Sequence, residues 1–186
     1  MLPPLSQSQG SGFADEFAIV PERDQDTDVI DALMDASFGQ ERHNLTVYKL
    51  RDGYPPVRQL GFIAMDQQGK ARASIRYWPI QVEGSSLRYL LLGPLAVDPT
   101  IRGGGLGKAL VSRSLDRAVE LGFDACLLVG EPSYYGSFGF TNATALGFKL
   151  PGWVELRRFL VRELQSNALA KPESRGLINP VKTRTK

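Results

Sequence analysis

A chain of 186 residues has the length of a single domain. With 42% hydrophobic and 23% charged residues it can close a core, which excludes a disordered chain, and no run approaches the ~18 apolar residues that span a bilayer. The formal charge of +2 comes from the end: five of 22 bases but only one of 20 acids lie beyond residue 170, so the body is not basic and does not read as a nucleic-acid binder. One cysteine, Cys126, excludes an internal disulfide and a multi-cysteine zinc site and fits a reducing cytoplasm. The opening MLPPLSQSQGSG has neither a basic nor an apolar signal region. These features predict a disordered lead-in over 1–12, one domain over 13–180 and a basic flexible tail over 181–186, with no membrane or nucleic-acid partner.

Phe17–Val20 predicts an opening strand. The acids between Asp24 and Asp28 suit a helix N-terminus, and Val29, Ile30, Leu33, Met34, Ser37 and Phe38 keep helical spacing until Gly39. Residues 40–59 hold either a short second helix or a loop. Leu60–Met65, Ala71–Val82 and Leu87–Val97 read as strands joined by the turn-like Asp66–Gly69 and Glu83–Ser86, which predicts an antiparallel meander. From Gly105 to Gly122, Leu110, Val111, Leu115, Ala118 and Leu121 share one face of an amphipathic helix. Asp124–Val129 then predicts a buried strand, parallel to its neighbour across that helix. Pro132 and Gly139 bound a short helix over Ser133–Phe138, and Thr144–Leu150 predicts a further strand. Trp153–Leu164 permits a helix, but Phe159, Leu160 and Val161 favour a last strand.

The most informative stretch runs from Leu90 through Arg102-Gly-Gly-Gly-Leu-Gly-Lys108, a strand that passes through a glycine cluster into a helix. Glycines permit a positive φ and close approach, and the first helical amides lack partners, so such a turn binds anions. Arg102 and Lys108 add full positive charges, which points to a phosphate or pyrophosphate. A P-loop fails because Arg102 occupies its first glycine position and Ala109 follows the lysine. A dinucleotide fingerprint fails because Lys108 occupies its third glycine position.

Arg102-Gly-Gly-Gly105-Leu-Gly107 resembles the R-x-x-G-x-G/A signature of the GNAT N-acetyltransferase superfamily, with Leu95-Ala-Val97 on the strand before it. The order of elements is similar over residues 17–164. Leu92-Gly-Pro-Leu-Ala-Val97, Glu131–Phe140 and Leu150-Pro-Gly152 resemble a bacterial branch of predicted N-acetyltransferases. The resemblance implies an α/β fold with a mixed, mostly antiparallel central sheet, splayed in the middle and flanked by helices. It implies acetyl-CoA as cosubstrate and no metal, with pantetheine on Leu95, Ala96 and Val97 and pyrophosphate on the amides of Arg102, Gly103, Gly104, Gly105, Leu106, Gly107 and Lys108.

In that family a tyrosine four residues before the glycine of a terminal Gly-Phe pair commonly protonates the departing thiolate; here that residue is Tyr135. Tyr134 is its rival, about 100° away around a helix. Many relatives carry a glutamate base on the strand before the loop, but this chain has Gly93-Pro94-Leu95 there. Glu131, as base or substrate anchor, His43, or a carbonyl and water relay remain for proton removal. Cys126, in an apolar strand, reads as core. The implied activity is acetylation of a primary amine, on a small molecule or a peptide, by direct attack, in a cytoplasmic monomer or homodimer. A CoA-binding sensor without catalysis, or transfer of a different acyl group, is the alternative.

Overall fold

Largely apolar runs in the centre of the chain build three adjacent strands, β2 (Phe62–Met65), β3 (Ala71–Val82) and β4 (Tyr89–Val97), the predicted meander. The computed structural model describes residues 16–39, 46–51 and 54–181. The lead-in over 1–12, His43 and residues 182–186 of the tail lie outside them. Strand β1 (Ala18–Pro21) adds antiparallel to β2, and helix α1 (Thr27–Phe38) follows, ending at Gly39 with φ 72°. The described residues of the segment that left helix and loop open include a short helix, α2 (Thr46–Lys49).

Helix α3 (Leu106–Glu120) carries the chain to β5 (Ala125–Val129), which lies parallel to β4. Helix α4 (Pro132–Tyr135) continues as a 3-10 turn, Gly136–Phe138, closed by Gly139 at φ 80°. Strands β6 (Thr141–Asn142) and β7 (Phe159–Glu163) complete the path, and β8 (Ile178–Pro180) pairs with the free end of β3. The order is β1-β2-β3-β4-β5-β7-β6, antiparallel at every strand pair except β4 with β5. The mixed, mostly antiparallel sheet flanked by helices is therefore as expected. Among the described residues no helix is long and apolar enough to cross a membrane.

The strand expected over Thr144–Leu150 is a turn instead. The Asn142 side chain accepts from the Ala145 amide at 2.8 Å, the Gly147 amide reaches the Thr144 carbonyl at 2.9 Å, and Gly147 takes φ 92°. Local hydrogen bonds thus satisfy this backbone in place of a ladder, as Asn and Gly favour. Only Lys149 touches a strand-like partner, Leu177.

Each face of the sheet buries a separate core. Leu90, Leu92, Cys126, Leu128 and Leu160 face α3, through Leu110, Val111 and Leu115. Tyr89, Leu91, Leu127, Phe159 and Val161 face the other side, with Trp78 and Phe148. Each such leucine contributes about 1.5–3 kcal/mol on burial. In β4 the register slips opposite Ile75/Tyr77, which inserts an extra residue at Gly93-Pro94. That bulge reverses the parity of the strand: Leu90 and Leu92 face α3 before it, Leu95 and Val97 after it.

Candidate functional site

Strands β4 and β5 pair only over Tyr89–Leu91 and Ala125–Leu127; beyond these residues no β4–β5 pairing continues. A cleft of about 1100 Å³ opens at that fork. Its walls are the bulged half of β4, the end of β5, the N-terminus of α3, α4, α2 and the segment 153–158. The bulge explains the opening. A strand turned by an extra residue cannot keep its ladder with both neighbours, and β4 keeps β3 through Ala73↔Val97 while losing β5.

At one end of the cleft stands the glycine turn. Gly103 and Gly105 hold φ 92° and 87°, and a Cβ at either would meet no atom within 4 Å. Their need is conformational, and the outer face of the turn is open. Gly105 is the N-cap of α3, and the Ala109 amide returns to its carbonyl at 3.0 Å, so the amides of Leu106, Gly107 and Lys108 precede the helical ladder. Arg102 Nε lies 3.3 Å from the Val97 carbonyl, tying the turn to β4. Asp98 shapes the approach: its Oδ1 accepts from the Thr100 amide at 2.9 Å and from the Thr100 hydroxyl at 2.7 Å.

The two tyrosines of α4 diverge as the helix demands. The Tyr134 hydroxyl reaches the glycine turn, 2.8 Å from the position a Gly107 Cβ would take. The Tyr135 ring packs on Gly130 at the exit of β5, nearer the fork, and edge-on to Phe140. Burial pushes both phenols above their ordinary range, that of Tyr135 far above, so each stays protonated. Cys126 is fully buried and burial pushes its thiol up as well, as befits a core residue.

Glu131 stands on the rim, its two oxygens 3.1 Å from Arg157 Nη1 and 3.0 Å from Arg158 Nε. The opposite wall carries a residue that spacing did not single out. Arg51, only 9% exposed, places its guanidinium 4.6 Å from the Tyr48 ring centroid and 5.0 Å from that of Trp78. Its Nε and Nη1 are buried without a hydrogen-bond partner among the described residues. Burial pulls its pKa down to about 10, against a smaller opposing effect of Tyr48, so it remains charged at neutral pH. A buried ion costs several kcal/mol and each cation–π contact returns only about 0.5–2, so the aromatic faces do not offset the burial.

Of the residues singled out by sequence, Leu95, Val97, Arg102, Gly103, Gly105, Leu106, Gly107, Lys108, Glu131 and Tyr135 line this one cleft. Ala96 does not: its side chain is buried against Ile30, Leu33 and Met34 of α1. Gly104 also lies off the lining. Tyr48, Arg51 and Trp153 line it too, from segments 39–59 and 141–153 expected to face the acceptor, and so does Arg158, but none of them was singled out as a residue. No periodicity or motif marks them, because they come from a short helix and a loop that only the tertiary fold brings to β4. Among the described residues no three His, Cys, Asp or Glu side chains are grouped to hold a metal.

Comparison with known proteins gives a consistent picture. The sequence model of the Acetyltransferase (GNAT) family matches residues 27–147. "Uncharacterized N-acetyltransferase YhbS" of Escherichia coli K12 is 37% identical over 115 residues, covering 61% of this chain and 67% of that protein. The crystal structure of E. coli YhbS in complex with CoA superposes with a TM-score of 0.75 at 31% identity, over 89% of each chain. A GNAT family acetyltransferase from Brucella melitensis in complex with acetyl-CoA gives 0.58 at 26% identity, over 67% of this chain and 82% of that one.

Proposed function

The chain belongs to the GNAT acetyltransferase family, and from that premise we propose that it binds acetyl-CoA along the fork between β4 and β5 and transfers the acetyl group to a primary amine by direct attack. One observation carries the reading: the two strands part beside a turn whose helical amides precede their ladder. The amides from Arg102 to Lys108 hold the diphosphate, aided by the α3 dipole. The side of β4 at Leu95, Ala96 and Val97 that no longer pairs with β5 bonds the amide-bearing arm as a strand would. That YhbS and the Brucella enzyme were crystallised with CoA and acetyl-CoA supports the assignment.

Extension of that arm along β4, away from the glycine turn, carries its thioester toward Gly93 and Gly130. The neutral amine attacks the carbonyl carbon, a C–N bond forms and the C–S bond breaks. The buried phenol of Tyr135 gives its proton to the departing sulfur, and the proton lost from the new ammonium passes through water and restores the phenol. The ring's contact with Gly130, at the fork, favours Tyr135 for this role, and the Tyr134 hydroxyl, at Gly107, faces the arm instead. Glu131, held by two arginines, anchors the acceptor at the rim rather than accepting its proton. The lone buried thiol and the CoA substrate favour a cytoplasmic setting.

Thiol release from acetyl-CoA across a panel of amines tests the activity. Calorimetry of CoA binding tests the site. Gly105→Asp should abolish binding, whereas Gly105→Ala, which carries the same backbone strain without the charge, should weaken it less. Tyr135→Phe should lower kcat by roughly 10²-fold or more and leave acetyl-CoA affinity intact. Equal rates would remove Tyr135 from the chemistry.

A further inference from the structure

The two sides of the fork are chemically unlike. Tyr135 reaches it from the α3 face of the sheet. Arg51 reaches it from the opposite face, where Nη2 lies 3.2 Å from the position a Gly93 Cβ would take. Gly93 is the bulge that opens the cleft, so this guanidinium stands beside the end where the thioester is proposed to react. Its guanidinium lies against the rings of Tyr48 and Trp78, with Tyr48 also a hydrogen-bond partner, and Nε and Nη1 are buried with no hydrogen-bond partner among the described residues. A cation held in this way has N–H donors without a partner among the described residues.

We infer that Arg51 is a specificity-determining residue that receives a substrate carboxylate at the reacting end of the cleft. Nη2, beside Gly93, is the donor placed to meet a carboxylate oxygen, and a charged guanidinium matches a carboxylate better than a neutral group. A dianionic phosphate would call for a second free cation, and the other arginine lining this end, Arg158, is paired with Glu131. The carboxylate arrives either on the acceptor, as in an amino acid whose amine is acylated, or on the acyl chain, as in a succinyl group. This inference rests on the acyl-transfer reading for the place of the reacting centre.

The test uses the full chain and matched pairs that differ only in a carboxylate against a methyl group. Glycine through 6-aminohexanoate are compared with alkylamines of equal carbon number, and succinyl-CoA with butyryl-CoA. Binding is read by tryptophan fluorescence, since Trp78 lies against Arg51, and turnover by thiol release. In the parent, the carboxylate member of at least one pair should bind roughly tenfold tighter or better, and Arg51→Met should bring that ratio close to one. Arg51→Lys, which keeps the charge and loses the fork, should retain part of it and serves where Arg51→Met does not fold. The pair that shows the preference identifies which substrate carries the carboxylate. Equal binding of every pair to the parent, or a preference that survives in folded Arg51→Met, overturns the inference. Absence of thiol release with every pair would defeat the acyl-transfer reading alone, because the fluorescence ratio still decides Arg51.

Discussion

Tyr135 rests on Gly130 so closely that a Cβ at residue 130 would stand 2.3 Å from its ring edge and 3.1 Å from Leu128. No side chain fits in that gap, and the ring is itself packed against Tyr134 and Phe140. Glycine at the exit of β5 is therefore what lets a phenol reach the fork. Gly130→Ala should displace the ring, costing about 1–3 kcal/mol of stability and lowering kcat by roughly 10²-fold through misplacement of the proton donor. CoA affinity, set at the other end of the cleft, should hold. A calorimetric titration beside steady-state rates separates the two, and a variant with parental kcat would refute the role of the contact.

A second glycine behaves differently. The loop signature admits alanine at residue 107, yet here a Cβ there would lie 2.8 Å from the Tyr134 hydroxyl and 3.3 Å from Val97. The hydroxyl is the obstacle, so the two positions are coupled. Gly107→Ala should weaken CoA binding, and adding Tyr134→Phe should restore much of it. The coupling is expected to be about 0.5–3 kcal/mol in a double-mutant cycle of binding energies. Additive losses would show that Tyr134 does not set the residue at 107.

The fold was legible where local pattern decides it. The spacing of Leu110, Val111 and Leu115 marked α3, and the turn residues at Gly69 and Gly84, with φ 75° and 79°, marked the meander. The glycine turn at one end of the cleft was legible for the same reason, being one contiguous loop. The segment 144–150 was misread because an apolar stretch says nothing of the Asn142 cap that folds it into a turn. Strand β8 escaped notice because its partner, β3, lies far away in sequence. Arg51 was invisible on a different ground: a lone arginine is ordinarily a solvated residue, and only the approach of Tyr48, Trp78 and Gly93 makes it a buried charge.

The raised phenols have an alkaline consequence. Burial is the main cause at both Tyr134 and Tyr135, with Tyr134 and Cys126 adding to it at Tyr135 and Arg158 opposing. The neutral form is thus favoured in the folded chain. Its stabilisation is complete below the unfolded value near ~10 and is lost as pH rises toward the folded one. The rate should climb as the acceptor amine deprotonates and show no fall from tyrosine ionisation below a pH of about 10. An ultraviolet titration of Tyr135→Phe against the parent should lack one late-ionising phenol. A falling limb near neutrality that Tyr135→Phe abolishes would contradict this.

The acid side is set by Asp98, which turns the chain from β4 into the glycine loop. Hydrogen bonds from the Thr100 hydroxyl and amide hold its carboxyl below the usual range, and Arg72, with Nε at 3.4 Å, adds to this. A depressed folded pKa means stabilisation that is present above the unfolded value near ~3.9 and lost as pH falls through the folded one. Asp98→Asn should therefore flatten the dependence of melting temperature on pH below about 4, because the residue no longer titrates. Asp98→Ala removes the cap itself and should cost about 0.5–2 kcal/mol. Because the same turn leads directly to Arg102, that variant should also bind CoA several-fold more weakly at neutral pH, where the parent carboxylate is fully ionised. Unchanged affinity, measured by calorimetry on a folded Asp98→Ala protein, would show that the cap stabilises the chain without shaping the anion site.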